Sequence, residues 1–190
     1  MSPARRRVLP AFLIVVLTAL GSAHVFARDT EKSWEFGAYV VSSKYAGGAM
    51  IDPGVGWGVR GGYHFKERRE LEGSYDMVSS NNSKVTSITY DVTKVSADYL
   101  RMYFIKGHEK MIPFATFGLG ILGIDNGTDS LTSTSIRFGG GFKYFVKPRA
   151  AIRFDLRGYH WHGDGTVTNR DPYFSIDFTL AAAFLVGGGK

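Results

Sequence analysis

Two histidines and an aspartate lie close together in the stretch His160-Trp161-His162-Gly163-Asp164. Residues i and i+2 of a strand project from the same face, so both imidazoles can contact one metal ion and Asp164 can add an oxygen ligand. A zinc site needs further ligands, and no second cluster of suitable spacing supplies them. We therefore favour a strand end that enters a loop, and we expect no metal site.

Two other short patterns have the residue types of binding sites. Residues 118–123 match the G-x-G-x-x-G pattern of dinucleotide-binding proteins. That motif needs a helix at its third glycine to hold the pyrophosphate, whereas these glycines lie within an alternating strand pattern. Residues 125–129 are acidic but lack the spaced ligands and terminal glutamate of a calcium loop. We expect no cofactor at either place.

The strongest signal is strict alternation over residues 136–161, with a hinge at residues 146–149. Alternation predicts strands, because successive side chains of a strand point to opposite faces. One face of this predicted hairpin is apolar, with Ile136, Phe138, Phe142, Ile152, Phe154 and Leu156. The other face carries full charges, which favours a membrane barrel with an apolar exterior and an ion-paired interior.

Eight such segments run along the chain, at residues 34–42, 55–65, 69–79, 89–104, 112–124, 136–145, 150–161 and 173–187. The fourth is irregular, since Leu100, Met102 and Phe104 lie on the inward register. Either a bulge near Tyr99 shifts the phase, or these side chains fill the barrel floor. Short connections alternate with longer polar ones, as in outer-membrane barrels with periplasmic turns and extracellular loops.

Composition supports export and a β-structure. Residues 1–27 read as a cleavable signal peptide, with Arg5-Arg6-Arg7, an apolar run and cleavage after Ala27, or alternatively after Ala23. The remaining 20 basic and 17 acidic residues give a charge of only +3, which argues against nucleic-acid binding. The chain has no cysteine, and no apolar run after Ala27 is long enough for a membrane helix. A closed barrel is then the remaining way to cross a membrane.

Residues 113–120, 138–144 and 152–157 read PFATFGLG, FGGGFKY and IRFDLR. With the alternation, they resemble the eight-stranded outer-membrane β-barrels of the OmpA/OmpX type, the "outer membrane protein beta-barrel domain" group. The resemblance covers residues 28–190. It implies an all-β transmembrane up-and-down barrel in a Gram-negative outer membrane, with lipid, lipopolysaccharide and the assembly machinery as partners, and we expect a monomer. Such barrels commonly end on an aromatic residue, whereas this chain continues past Phe184, so either alternation through Phe184 suffices or the frame of the last strand is shifted.

The inward charges are nearly balanced and predict a salt-bridged lumen, since eight strands leave interior room only for side chains. They are Glu35, Arg60, Glu70, Glu72, Asp76, Lys94, Asp98, Arg137, Lys143, Arg153, Asp155, Arg157 and Asp177. We predict interface aromatics at both rims, namely Trp34, Trp57, Tyr63, Tyr144, Trp161 and Tyr173.

We predict a structural or surface-interaction role without catalysis. One alternative is a small porin-like channel for ions or small solutes, and a second is a barrel enzyme that modifies lipid A. The deacylases among such barrels carry a His-x-Ser element, whereas Trp161 and His162 follow His160 here. A soluble barrel of the lipocalin type is a third alternative, which would be found in the soluble periplasm.

Overall fold

The chain forms a closed antiparallel barrel of eight strands, in a computed structural model that describes residues 31–45, 51–82, 88–163, 168 and 171–188. The strands are β1 (Ser33–Tyr45), β2 (Gly54–Lys66), β3 (Arg69–Asn81), β4 (Thr89–Met102), β5 (Met111–Asp125), β6 (Ser130–Lys147), β7 (Ala150–His162) and β8 (Pro172–Gly187). Neighbours in the chain pair with each other, and β1 pairs with β8 to close the wall. The predicted fold is confirmed. The predicted signal peptide lies outside the described residues.

The wall has an apolar outer surface and an inner surface that carries the charges. On β5, Phe117 and Leu119 point outward and are 58% and 62% exposed, whereas Ile112 and Thr116 point inward and are buried. An exposed apolar band around a closed barrel is the arrangement that lipid covers in a membrane. Among the described residues no helix is long and apolar enough to cross a membrane.

Strand β4 keeps one register along its whole length, from Asn81↔Thr89 on one side to Met102↔Phe114 on the other. A bulge near Tyr99, one of the two alternatives, is therefore wrong. Leu100 and Met102 are buried inside the barrel. They belong to its interior packing, which is the second alternative.

The connections differ from the predicted alternation of lengths. We call the end of the barrel with connections 67–68, 103–110 and 148–149 the turn side, and the opposite end the loop side. Because β4 ends at Met102, residues 103–110 form an eight-residue connection on the turn side. On the loop side, residues 126–129 form a connection of only four. Length alone thus separates the two rims poorly.

Strand β6 begins six residues earlier than the alternation indicated, at Ser130 rather than Ile136. Its outward residues there, Thr132 and Thr134, are polar, so the apolar pattern fades although the ladder with β5 continues to Asp125↔Ser130.

Strand β8 pairs with β1 in one register from Tyr45↔Ser175 to Ser33↔Gly187. The frame of the last strand is therefore not shifted.

Candidate functional site

All of the charged residues assigned to the inner face by alternation lie inside the barrel, each with at most 5% of its surface exposed. They come from every strand except β5, and they are Glu35, Arg60, Glu70, Glu72, Asp76, Lys94, Asp98, Arg137, Lys143, Arg153, Asp155, Arg157 and Asp177. Burying a charge is costly unless it is paired and hydrogen-bonded. Pairing of these charges inside the barrel is therefore a condition for the fold.

Three arginines and two carboxylates form the centre of the interior. Arg153 Nη1 donates to Glu72 Oε2 at 2.5 Å, and its Nη2 donates to Asp155 Oδ1 at 2.9 Å. Arg157 Nη2 donates to the same two carboxylates at 2.7 and 2.9 Å. Arg60 Nη1 reaches Asp155 Oδ2 at 2.9 Å. Charge-assisted bonds of this kind fix both partners, so the centre joins β2, β3 and β7 across the lumen.

A second group, nearer the turn side, is built around Lys143. Its Nζ donates to Glu35 Oε2 at 2.6 Å and to Glu70 Oε2 at 2.7 Å. His64 Nε2 lies 3.2 Å from Glu35 Oε2. Ligand atoms of Glu35, His64 and Glu70 lie within 4.8 Å of one another, which is the donor set of a small metal site. The Lys143 ammonium donates to both carboxylates, so it supplies the positive charge that a metal ion would otherwise supply there.

A third group lies nearer the loop side. Lys94 Nζ donates to Asp177, and the Tyr39 hydroxyl donates to Asp76. Arg137 Nη1 lies 3.4 Å from Asp98 Oδ2. These contacts link β1 and β3, β4 and β8, and β4 and β6, so pairs between strands that are not neighbours span the lumen.

Two apolar clusters flank the charged groups. The loop-side cluster consists of inward residues near the loop-side ends of the strands, with Ala181 further along β8: Tyr39, Val41, Tyr45, Ile51, Val78, Tyr90, Val92, Leu122, Ile124, Leu131, Tyr159, Trp161, Tyr173 and Ala181. The turn-side cluster consists of Leu100, Met102, Ile112, Phe114, Phe145, Ala151 and Leu185. The interior is thus packed with apolar side chains on both sides of the ion pairs.

Two of the predicted interface aromatics are wrong. Trp161 and Tyr173 are only 1% and 5% exposed, and they pack against each other inside the barrel with ring centroids 4.8 Å apart. Trp161 Nε1 donates to Ser175 Oγ at 2.9 Å. Both positions share strand parity with the inward residues Arg157 and Asp177, so alternation places them inside. The prediction followed residue type and closeness to a rim instead of strand parity, and this is why it fails at these two positions.

The structure places the other four on the outer surface. Trp34, Trp57 and Tyr144 are 52%, 51% and 43% exposed. Tyr63 is partly exposed and packs against Trp34, with ring centroids 4.9 Å apart. Exposure on the outer surface is what contact with the membrane interface requires, and that contact stays a prediction for these four residues.

The G-x-G-x-x-G residues lie in the middle of β5, which continues to Asp125, so no helix follows their third glycine. A Cβ on Gly118 would lie 2.3 Å from the carbonyl oxygen of Ala97. The glycine there allows close packing of the wall and its interior. In the acidic turn, Asp125 Oδ1 accepts from the amide of Gly127, and Asn126 Oδ1 accepts from the amide of Asp129. These side-chain oxygens stabilise a tight turn.

His160 and His162 lie on the outer surface of β7, with ring centroids 5.2 Å apart. They border a shallow groove of about 650 Å³ in the lipid-facing wall, lined mainly by apolar residues of β4, β5 and β6. His160 Nδ1 lies 3.4 Å from the carbonyl oxygen of Tyr173. Within the described part of the chain, no serine or threonine hydroxyl is hydrogen-bonded to either imidazole, and Asp164 lies outside it.

Comparison with known proteins gives the family. The model of the "Outer membrane protein beta-barrel domain" family matches residues 13–179. The chain belongs to this family. It is accordingly a protein of the bacterial outer membrane, which confirms the resemblance and the location predicted from its sequence.

Solved structures agree with this fold. Neisserial surface protein A is 17% identical, with a TM-score of 0.64 over 81% of this chain and 99% of its own. OprG of Pseudomonas aeruginosa is 8% identical, with a TM-score of 0.58 over 85% and 99%. Ail, the attachment invasion locus protein of Yersinia pestis, is 16% identical, with a TM-score of 0.52 over 82% and 99%. No curated protein matches.

Tyr39 and Tyr159 are interior residues that the sequence reasoning did not single out. The Arg60 guanidinium lies 4.0 Å from the centroid of the Tyr39 ring, and Arg137 lies 4.7 Å from that of Tyr159. Such contacts stabilise desolvated cations. The sequence does contain a signal for these contacts, because both tyrosines have the strand parity of the inward charges. An aromatic residue among inward cations indicates a cation–π partner.

Proposed function

We propose that this family member is a non-conducting outer-membrane barrel with a structural or surface-interaction role. The observation that supports it is the packed interior, in which a network of ion pairs lies between two apolar clusters. The interior of an eight-stranded barrel is just wide enough for side chains to fill. A permeating ion would have to displace paired guanidinium and carboxylate groups together with the apolar side chains beside them.

The charge balance of the lumen supports the same proposal. Arg153 contacts Glu35, Glu72 and Asp155, and Lys143 contacts Glu35 and Glu70. A pore that selects ions has rings of one sign aimed at the permeating ion. Here the charges of both signs are aimed at each other, so they hold the strands in register instead.

Single-channel recording in planar lipid bilayers tests this proposal against the porin alternative. We expect the purified protein to show no steady conductance. The double variant Glu72→Ser/Arg153→Ser removes one charge of each sign from the centre, and we expect it to open brief conducting events, which verifies that the assay detects a breached lumen. Large, steady openings of the unmodified protein would overturn the closed lumen.

We further propose that the barrel is not an enzyme. A hydrolase of the serine type needs a nucleophile within hydrogen-bond reach of its base. His160, the outward histidine at the wall groove, has a backbone carbonyl and another histidine beside it instead. Incubating the purified protein with lipopolysaccharide and measuring released fatty acid tests the enzyme alternative. Release that is abolished in His160→Ala would overturn this part of the proposal.

The remaining features of the proposal rest on the sequence: removal of residues 1–27 on export, a monomeric barrel over residues 28–190, and contacts with lipopolysaccharide and the assembly machinery. The names of two similar structures, a surface protein and an attachment protein, are compatible with a surface role. At 16–17% identity, however, that likeness carries the fold alone. Amino-terminal sequencing of the protein isolated from membranes tests the cleavage site, with residue 28 as the expected first residue.

A further inference from the structure

Three cations face one another on the outer surface at the turn side. Arg69 of β3 lies directly opposite Arg101 of β4, and Lys66 of β2 lies opposite Arg69. All three are exposed. We call them the rim cations. Ion pairs in the described part of the chain join the interior charges and include none of the three. Like charges directly opposite each other destabilise a pair of strands, so an anion bound between them would stabilise the wall.

The rim cations lie next to a row of side chains typical of the membrane interface. Leu71 and Tyr99 are the outward residues one step toward the middle of the barrel, and they lie directly opposite each other. They are 58% and 36% exposed, and the ring of Phe65 lies 6.3 Å from that of Tyr99. Interface aromatics lie at the level of lipid headgroups. Two residues along a strand span about 7 Å, which brings the cations to the depth of lipid phosphates.

The charge of the two rims differs in sign. The turn-side residues 31–32, 66–69, 101–110 and 147–149 carry nine Lys and Arg but three Glu. Among described residues at the loop-side rim, Lys44 is accompanied by Asp52, Asp91, Asp125, Asp129 and Asp171. In outer-membrane barrels the short turns face the periplasm. Two of the three turn-side connections have only two residues, whereas every loop-side connection has four or more, so we take the basic rim as the periplasmic one. It then meets the inner leaflet, where phospholipid headgroups are the available anions.

We propose that Lys66, Arg69 and Arg101 bind the phosphate of an anionic phospholipid of the inner leaflet, with the lipid's acyl chains lying over Leu71 and Tyr99. Arginine's planar fork suits phosphate recognition, and two arginines from neighbouring strands contact it together. On the far side of Arg101 its partner is Ala115, a small outward residue that leaves space for the lipid beside the guanidinium. An anionic lipid is favoured over a zwitterionic one, because a choline or ethanolamine group would add a further positive charge.

The test compares the stability of the full-length barrel in vesicles of phosphatidylcholine with and without phosphatidylglycerol, by urea unfolding followed through tryptophan fluorescence. We expect phosphatidylglycerol to raise the unmodified protein's folding equilibrium constant on the order of tenfold or more. The variant Arg69→Gln/Arg101→Gln should lose most of that gain. In pure phosphatidylcholine it should be at least as stable as the unmodified protein, because the repulsion between the arginines is gone.

The matched control is Lys106→Gln/Lys110→Gln, which removes two charges from the same rim but from the connection 103–110. We expect this variant to keep the gain from phosphatidylglycerol. If both variants lose the gain from phosphatidylglycerol equally, the effect comes from the overall positive charge of the rim and the proposed site is overturned. A full gain in pure phosphatidylcholine on adding inorganic phosphate would also overturn it, because the site would then bind a free anion rather than a lipid.

Discussion

Replacing Lys143 with methionine removes the cation shared by Glu35 and Glu70 while keeping a long side chain. The donor atoms of Glu35, Glu70 and His64 then remain within 4.8 Å of one another without that ammonium. Two unit negative charges about 4.8 Å apart repel by about 3.5 kcal/mol at an effective dielectric constant of about 20. Breaking a buried pair by removing one partner costs about 3–5 kcal/mol. We therefore expect Lys143→Met to lower the free energy of unfolding by about 3–4 kcal/mol.

Urea unfolding in phospholipid vesicles, followed by tryptophan fluorescence, measures this loss. Lys147→Met is the matched control, since it makes the same replacement at the end of the same strand, where the side chain is partly exposed at the turn side. Surface substitutions usually change stability by no more than about 0.5 kcal/mol. The two variants should thus differ by about 3 kcal/mol, although both lose one positive charge.

A second substitution separates lost charge pairing from lost packing. In Lys143→Met/Glu70→Gln the repulsion between carboxylates is gone, while Glu35 keeps its contact with Arg153. We expect the double variant to regain about half of the loss or more. If Lys143→Met is as stable as the unmodified protein, or if Glu70→Gln restores nothing, the ammonium is not the counter-ion of these carboxylates and the reasoning is refuted.

Two further predictions concern packing. Gly118→Ala should cost about 3 kcal/mol, the upper end of the usual cost of overpacking, because its Cβ would lie 2.3 Å from a backbone carbonyl oxygen of β4. Gly61→Ala, whose nearest contact would be 3.6 Å, should change stability little. Unfolding of both variants in vesicles checks this difference. In single-tryptophan variants, brominated lipid chains should quench the fluorescence of Trp57 but not of Trp161, and strong quenching of Trp161 would contradict its interior position.

The architecture could be predicted because strand parity is a local property of the sequence. Alternation placed Arg137, Lys143 and Arg153 inside without knowledge of their partners. Partner choice was not accessible in this way, since Glu35 and Arg153 are 118 positions apart in the chain and meet only when the barrel closes. The spacing of such residues in the sequence does not give the tilt of the strands, nor the depth along the barrel axis at which their side chains meet.

The errors have a common physical origin. Trp161 and Tyr173 were assigned by residue type at a rim, although parity, the stronger constraint, places them inside. A bulge in β4 was one of two alternatives because Leu100 and Met102 are apolar on an inward face, and the other alternative, interior packing, is the one that holds. The interior of a narrow barrel is polar only where charges can pair, and elsewhere it packs like a small core.

The interior charges explain how one register is selected during closure. Shifting a strand by one residue moves every side chain to the opposite face. For β7, such a shift would turn Arg153, Asp155 and Arg157 toward lipid, at a cost of about 2–4 kcal/mol for each arginine near the bilayer midplane. It would also take Arg153 and Arg157 away from Glu72. These penalties apply to the barrel with the shifted strand, whereas the ion pairs form only in the correct register. The network therefore favours a single register even where each buried pair adds little net stability.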